Sequence, residues 1–197
     1  EQGSVLYLSG ENPEDFKLRL LASVLAMGLK IEDIGYKVAV LPVAGKLIDF
    51  AQTVKEFAED TPLALIIIDT SVAYYSYGEE NANVDQKLHA QDMRLLIHCA
   101  GSPAVIALCH PVKNAAQDNL LPRGGGAFVN EIDTNLTLWK EGEVTELAYS
   151  KLRGPPFQPI HFKLVPATIP GVLDTKGRSV GTVVAQPMTD YAATSET

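Results

Sequence analysis

Apolar positions in the first part of the chain fall alternately into short continuous runs and helical stripes. Val5-Leu6-Tyr7-Leu8 is a β-rich run, and Ser9-Gly10-Glu11-Asn12-Pro13 turns the chain after it. Asn12 can cap a helix that opens at Pro13, with Glu14 and Asp15 in a first turn where acids suit the helix dipole. Phe16, Leu20, Leu21, Val24 and Met27 recur at helical spacing, and Gly28 is placed to end the helix. Val38-Ala39-Val40-Leu41 reads as a second strand, and Leu47, Phe50, Val54 and Phe57 mark one face of a following helix. Thr61-Pro62 closes that helix and leads into Leu63-Ala64-Leu65-Ile66-Ile67-Ile68-Asp69-Thr70, a strand buried on both faces that ends in an acid.

A loop rich in Tyr, Gly, Glu and Asn runs to about Asn83, and its length suggests a function. A third helix follows with Val84, Leu88, Leu95 and Cys99 on its apolar side. Pro103-Ala104-Val105-Ile106-Ala107-Leu108-Cys109 is then another continuous apolar strand, carrying His110 at its carboxyl end. Strands alternating with helices predict a parallel sheet flanked by helices, the α/β class. From Pro111 to Gly126 the chain is polar and then glycine-rich, which predicts a mobile loop. Beyond it, Asn135 to Trp139, Val144 to Leu152 and Ile160 to Val165 alternate as strands, with Lys140-Glu141-Gly142-Glu143 as a hairpin turn: a C-terminal antiparallel β extension. The expected division is a core over residues 1–135, a β-rich extension of the same domain over 136–175 and a flexible tail over 176–197.

Composition narrows the functions that such a domain can serve. At 197 residues one core with an appendage is expected, and no apolar run approaches the roughly 20 residues that cross a bilayer. A formal net charge of −8 argues against a broad phosphate-binding surface, leaving room only for a local, salt-sensitive contact with nucleic acid. The two cysteines, Cys99 and Cys109, sit in apolar surroundings and suit buried thiols of a reducing cytoplasm. His98-Cys99 and Cys109-His110 offer metal-ligand types, but neighbours in sequence diverge on strand and helix alike and are poorly arranged for tetrahedral zinc.

Three strand ends carry candidate chemistry: Glu11, Asp69 and His110 should lie on one edge of the sheet, where α/β proteins bind ligands. Asp69, with Thr70 beside it, has the layout of a Walker B strand and can hold Mg²⁺; the alternative is an aspartate that caps a turn. Glu11 can polarise a water as general base or be an exposed turn residue, and His110 can sense a terminal phosphate or be a satisfied polar group. Arg123, beside Gly124, Gly125 and Gly126, can reach a neighbouring subunit's site to stabilise phosphoryl charge, or is a surface arginine.

In order and spacing, Gln2 to Glu11, Leu65 to Thr70, Val105 to His110 and Arg123-Gly124-Gly125-Gly126-Ala127-Phe128 resemble the RecA-like P-loop ATPases of the plasmid RepA helicase type and related AAA-family proteins. Lys151 to Phe157, followed by Phe162-Lys163-Leu164, resembles the end of that domain. The resemblance implies ATP and Mg²⁺ as cofactors and a cytoplasmic, hexamer-forming ring acting in DNA replication. Glu11 would activate water, Asp69 would be the Walker B acid and metal ligand, Thr70 would adjoin the nucleotide, and His110 would sit on the sensor strand. Arg123 would act across a subunit interface. The loop that holds Lys113, Arg123, Gly124, Gly125 and Gly126 would face single-stranded DNA in a central channel.

One departure is large. No stretch matches G-x-x-x-x-G-K-[ST], and the nearest, Val43-Ala44-Gly45-Lys46-Leu47, lacks the first glycine and the hydroxyl. The family places the P-loop strand before the position of Glu1, beside the strand that ends at His110. The start Glu1-Gln2-Gly3, with a strand two residues in, reads as a chain opened inside a fold. These residues alone are thus expected to bind ATP poorly and not to turn it over. Two functions compete: part of an ATPase that translocates on or remodels DNA, and a degenerate, non-catalytic RecA-like assembly module. An unrelated doubly wound domain is a third.

Overall fold

In the computed structural model, described over residues 3–188 apart from 36, 79–81 and 124, the chain forms two compact units. The first contains Glu1–Pro13 and Ile34–Ile132, the second Glu14–Asp33 and Asp133–Thr197.

The first unit is built on a four-stranded parallel sheet in the order β2-β1-β3-β4, with β1 Ser4–Ser9, β2 Val38–Leu41, β3 Leu63–Asp69 and β4 Ala104–Leu108. Leu6 and Leu8 of β1 and Ile66 and Ile68 of β3 share one face and are buried. Against them pack Leu47, Val54 and Ala58 of α2 (Leu47–Asp60) and Ala90 and Met93 of α3 (Asn83–Leu95). Fully burying one such aliphatic side chain stabilises by about 1.5–3 kcal/mol, so this face supplies most of the unit's core. A short helix, α4 (Gly125–Glu131), adds buried Phe128 to it. Glu131 of α4 faces Lys87 at 3.9 Å and Arg94 at 3.7 Å, both on α3.

The opposite face of this sheet carries Tyr7, Ile67 and Asp69, and on β4 Ile106 and Leu108, which are 41% and 40% exposed. β4 pairs only with β3, so its outer edge is open among the described residues.

In the second unit, α1 (Pro13–Ala26) begins at the expected proline and is followed by Gly28 in the left-handed region. Ala22 of α1 is buried with Ile169 and Val184, and Leu18 and Leu21 join the cluster. Those two partners belong to an antiparallel sheet in the order β5-β6-β7-β8: Thr134–Glu141, Val144–Leu152, Ile160–Leu173 and Ser179–Met188. Gly142 supplies the positive φ of the β5–β6 turn.

The α/β class with a parallel sheet and a C-terminal antiparallel sheet agrees with the sequence reading, and four of its details change. Residues 179–188, placed by composition in a flexible tail, form β8; residues 189–197 lie outside the described residues. Gly125 and Gly126, expected in the loop, open α4, and Gly124 lies outside the described residues. The loop between them and β4 has a paired stem: Pro111 bridges Pro122, and the Val112 N–H donates to the Leu121 carbonyl at 3.1 Å. Finally, α3 buries Gln86, His89, Ala90 and Met93, while Val84 is 70% and Leu95 52% exposed, so its packed face is not its most apolar one.

Candidate functional site

Because β1, β3 and β4 run parallel, their carboxyl ends meet at one edge, with Ser9, Asp69 and Leu108 in one row of the register. Glu11 lies two residues beyond that row on one side and His110 two beyond it on the other. The Thr70 hydroxyl donates to Glu11 Oε1 at 2.7 Å, and His110 Nε2 is 3.7 Å from the same oxygen. Thr70 is buried, whereas the Glu11 and His110 side chains are about half exposed. A buried hydroxyl thus aims a solvent-facing carboxylate, with the imidazole on its other side.

Asp69 is oriented from β1. The Tyr7 hydroxyl donates to Asp69 Oδ2 at 2.5 Å, which leaves Oδ1 as the less engaged oxygen. Tyr7 is buried, two residues before Ser9 and on the face that Asp69 shares. Nearby, Tyr74 is buried in a 3-10 turn, Ser71–Tyr74, and its hydroxyl donates to the Val43 carbonyl. Burial, aided by the Asp69 charge, pushes the Tyr74 pKa up to about 12. Val43 begins the stretch that sequence comparison marked as nearest to a phosphate loop. In the structure Lys46 of that stretch is the residue before α2, and the Gly45 N–H donates to the Ala73 carbonyl at 3.2 Å.

Arg123 closes the stem of the 111–123 loop, its N–H donating to the His110 carbonyl at 3.1 Å. Arg123 and His110 both border a cavity of about 20 Å³, enough for one water. Ser71, Gln86, Cys109 and Phe128 complete most of its wall. Arg123 is thereby brought beside His110 of its own chain. Lys113 is exposed on the loop, away from this wall.

The structure therefore brings Glu11, Thr70, Asp69, His110 and Arg123 to one edge. It adds three residues that periodicity passed over: Tyr7, Ser71 and His89. Tyr7 lies in a recognisable strand, but only the β1–β3 register sets it on the face that Asp69 shares. Ser71 and His89, 18 residues apart, give no local signal.

Chemically, the set is suited to holding a water and a hard cation. Glu11 is an acceptor for a proton, and a single carboxylate such as Asp69, completed by substrate phosphates and waters, is how Mg²⁺ is commonly held. By donor type, the Asp69 carboxylate oxygens suit that ion. No cluster of three or more His, Cys, Asp or Glu forms a self-contained metal site among the described residues. Backbone donors and a lysine for a triphosphate are not part of the set, in line with the missing G-x-x-x-x-G-K-[ST] sequence.

A parallel sheet with acids on its carboxyl edge, helices packed on it and an antiparallel sheet after it agrees with a RecA-like fold. A solved chain described as a DnaB-like replicative helicase, in a study of its interactions with primase, superimposes with a TM-score of 0.61 at 15% identity. The match covers 83% of this chain and 50% of that one, so the chain spans about half the length of this structural neighbour. The family described as AAA domain matches residues 1–116, and the chain belongs to it. No curated protein matches the sequence.

Proposed function

We propose that these residues are part of a RecA-like ATPase that couples ATP hydrolysis to movement on, or remodelling of, DNA. The observation that carries this reading is the meeting of Glu11, Asp69 and His110 at one sheet edge, with Glu11 held between Thr70 and His110. In it, Glu11 activates the attacking water, Asp69 holds Mg²⁺, and His110 senses the terminal phosphate. Arg123 stabilises phosphoryl charge. The 111–123 loop, with Lys113 exposed, meets single-stranded DNA in a cytoplasmic homo-oligomeric ring.

The phosphate cradle is proposed to come from a strand that precedes Glu1 and pairs with β4. Parallel sheets are normally covered on both faces, yet among the described residues β4 has an open edge and leaves Ile106 and Leu108 exposed. A further strand and helix there would cover both and place backbone donors beside Asp69 and His110. Without that segment, residues 1–197 are expected to bind Mg-ATP weakly and to leave it intact.

A second reading is supported by the absence of the phosphate-loop sequence itself: a degenerate RecA-like module kept for assembly. The coding sequence upstream of Glu1 separates the two, since a strand followed by G-x-x-x-x-G-K-[ST] within a few tens of residues is required by the first. The functional test is ATP turnover by the full-length protein. Asp69→Asn and Glu11→Gln should each lower kcat by about 100-fold or more, as a group acting only in the transition state would. Turnover within threefold of wild type in both variants would leave the assembly module as the better account.

A further inference from the structure

His89 is fully buried on α3, where a leucine or phenylalanine would normally stand. Its ring lies edge-on to Tyr75, with centroids 4.9 Å apart, and tilted against Phe128 of α4 at 6.3 Å. Its Nε2 is 3.0 Å from the Ser71 hydroxyl oxygen and 3.1 Å from the Ser71 carbonyl oxygen. Nδ1 is buried without a hydrogen-bond partner. A carbonyl only accepts, so the proton belongs on Nε2, and Nδ1 keeps a bare lone pair; the opposite tautomer would strand a buried donor.

With Nε2–H given to Ser71, the Ser71 hydroxyl proton is free to be donated onward. The Cys109 thiol and His110 line the same cavity as Ser71. Ser71 directly follows Asp69-Thr70, and Cys109 directly precedes His110. One buried imidazole therefore ties helix α3 to the turn after β3, and Ser71 of that turn borders the same cavity as His110 after β4. An aliphatic residue would fill the same space without leaving Nδ1 unpaired, so the polar contact, rather than volume, distinguishes histidine here.

The geometry points to His89 as a positioning residue: through Ser71 it fixes the turn that presents Asp69 and Thr70, which shares a cavity wall with His110. This deepens the ATPase reading and rests on it. His89 touches neither nucleotide nor water in that scheme. Its effect should appear in how well the site is assembled for turnover, with nucleotide affinity little changed.

The test uses the full-length protein with His89→Phe, His89→Gln and Ser71→Ala. Phenylalanine keeps the ring and removes the donor; glutamine keeps a side-chain N–H able to reach the Ser71 carbonyl. His89→Phe should lower kcat about 10- to 100-fold with KM for Mg-ATP changed less than about threefold, the pattern of a lost supporting contact. His89→Gln should recover most of the loss, and Ser71→Ala should fall between. Equal losses in the Phe and Gln variants, or kcat within threefold of wild type in the Phe variant, would overturn the inference. If His89→Phe does not fold, the Gln and Ala variants decide: Ser71→Ala at the wild-type rate also overturns it.

A wild-type protein that turns over no ATP sinks the ATPase reading without deciding this one. The His110 imidazole ¹⁵N resonances then serve as the readout. They should move in His89→Phe and return in His89→Gln, and identical spectra in all three proteins would refute the positioning role.

Discussion

Gly10→Ala is the perturbation that most directly probes the packing behind Glu11. Gly10 follows β1, and its N–H donates to the Asp69 carbonyl at 2.6 Å, which holds the chain close to the end of β3. A Cβ added there would overlap the Ala73 Cβ, lie 2.9 Å from Tyr74 Cε2 and come 3.3 Å from the Asp69 carbonyl oxygen. Carbon pairs rest at about 3.5–4.0 Å, so the Tyr74 contact alone falls short by about 0.6–1 Å. Tyr74 cannot easily retreat, being 0% exposed, tied through its hydroxyl to Val43 and edge-on to Phe50 at 6.0 Å. Overpacking of this kind costs about 1–3 kcal/mol, against about 0.4–1 kcal/mol gained by restricting the unfolded chain. The net expectation is a loss of roughly 1–2 kcal/mol, or about 2–8 °C in Tm for a domain of this size. Differential scanning calorimetry of the full-length wild type and Gly10→Ala measures it. Since glycine replacement at an unstrained site stabilises, a variant that melts at or above the wild-type temperature would refute the close approach. Relief of the clash should also carry Glu11 away from Thr70, so kcat is expected to fall with Tm.

Gly126→Ala is the converse case, because Gly126 lies within α4 and an added Cβ meets nothing within 4 Å. It should stabilise by about 0.5 kcal/mol in the same calorimetry, and destabilisation would contradict the helix there. The pH dependence of stability follows from His89, whose burial lowers its pKa below the ordinary value of 6.5. Folding keeps it neutral while the unfolded chain takes up the proton, so its contribution is complete above that value and is lost as pH falls below it. The Ser71 carbonyl and the Asp92 charge oppose this only in part. Urea unfolding between about pH 7 and 5 should show wild type losing more stability than His89→Gln as pH falls, and parallel curves would mean that His89 is not held neutral.

What the sequence made legible is what backbone topology alone decides. A parallel strand covered on a face by helices writes itself as an unbroken aliphatic run, so β2 and β3 appear in the structure at the residues the runs marked. Residues just past such strands must lie on one edge, which is why Glu11, Asp69 and His110 are found together. The failures share a different cause. α3 turns inward with His89 because Ser71 supplies a partner, whereas a stripe of Val84, Leu88 and Leu95 is the more hydrophobic choice only if partners are ignored. β8 has few large side chains, and it forms because β7 supplies a ladder from His161↔Met188 to Thr168↔Gly181. In both, long-range pairing satisfies polar groups that local pattern counts as solvent-facing. The same logic explains Tyr7: an aromatic in a strand reads as core, and only the register that sets it on the face of Asp69 reveals its hydroxyl as the group that aims the acid. Residues presented by strand ends are therefore readable before the fold is known, while those that hold them in place become visible only with it.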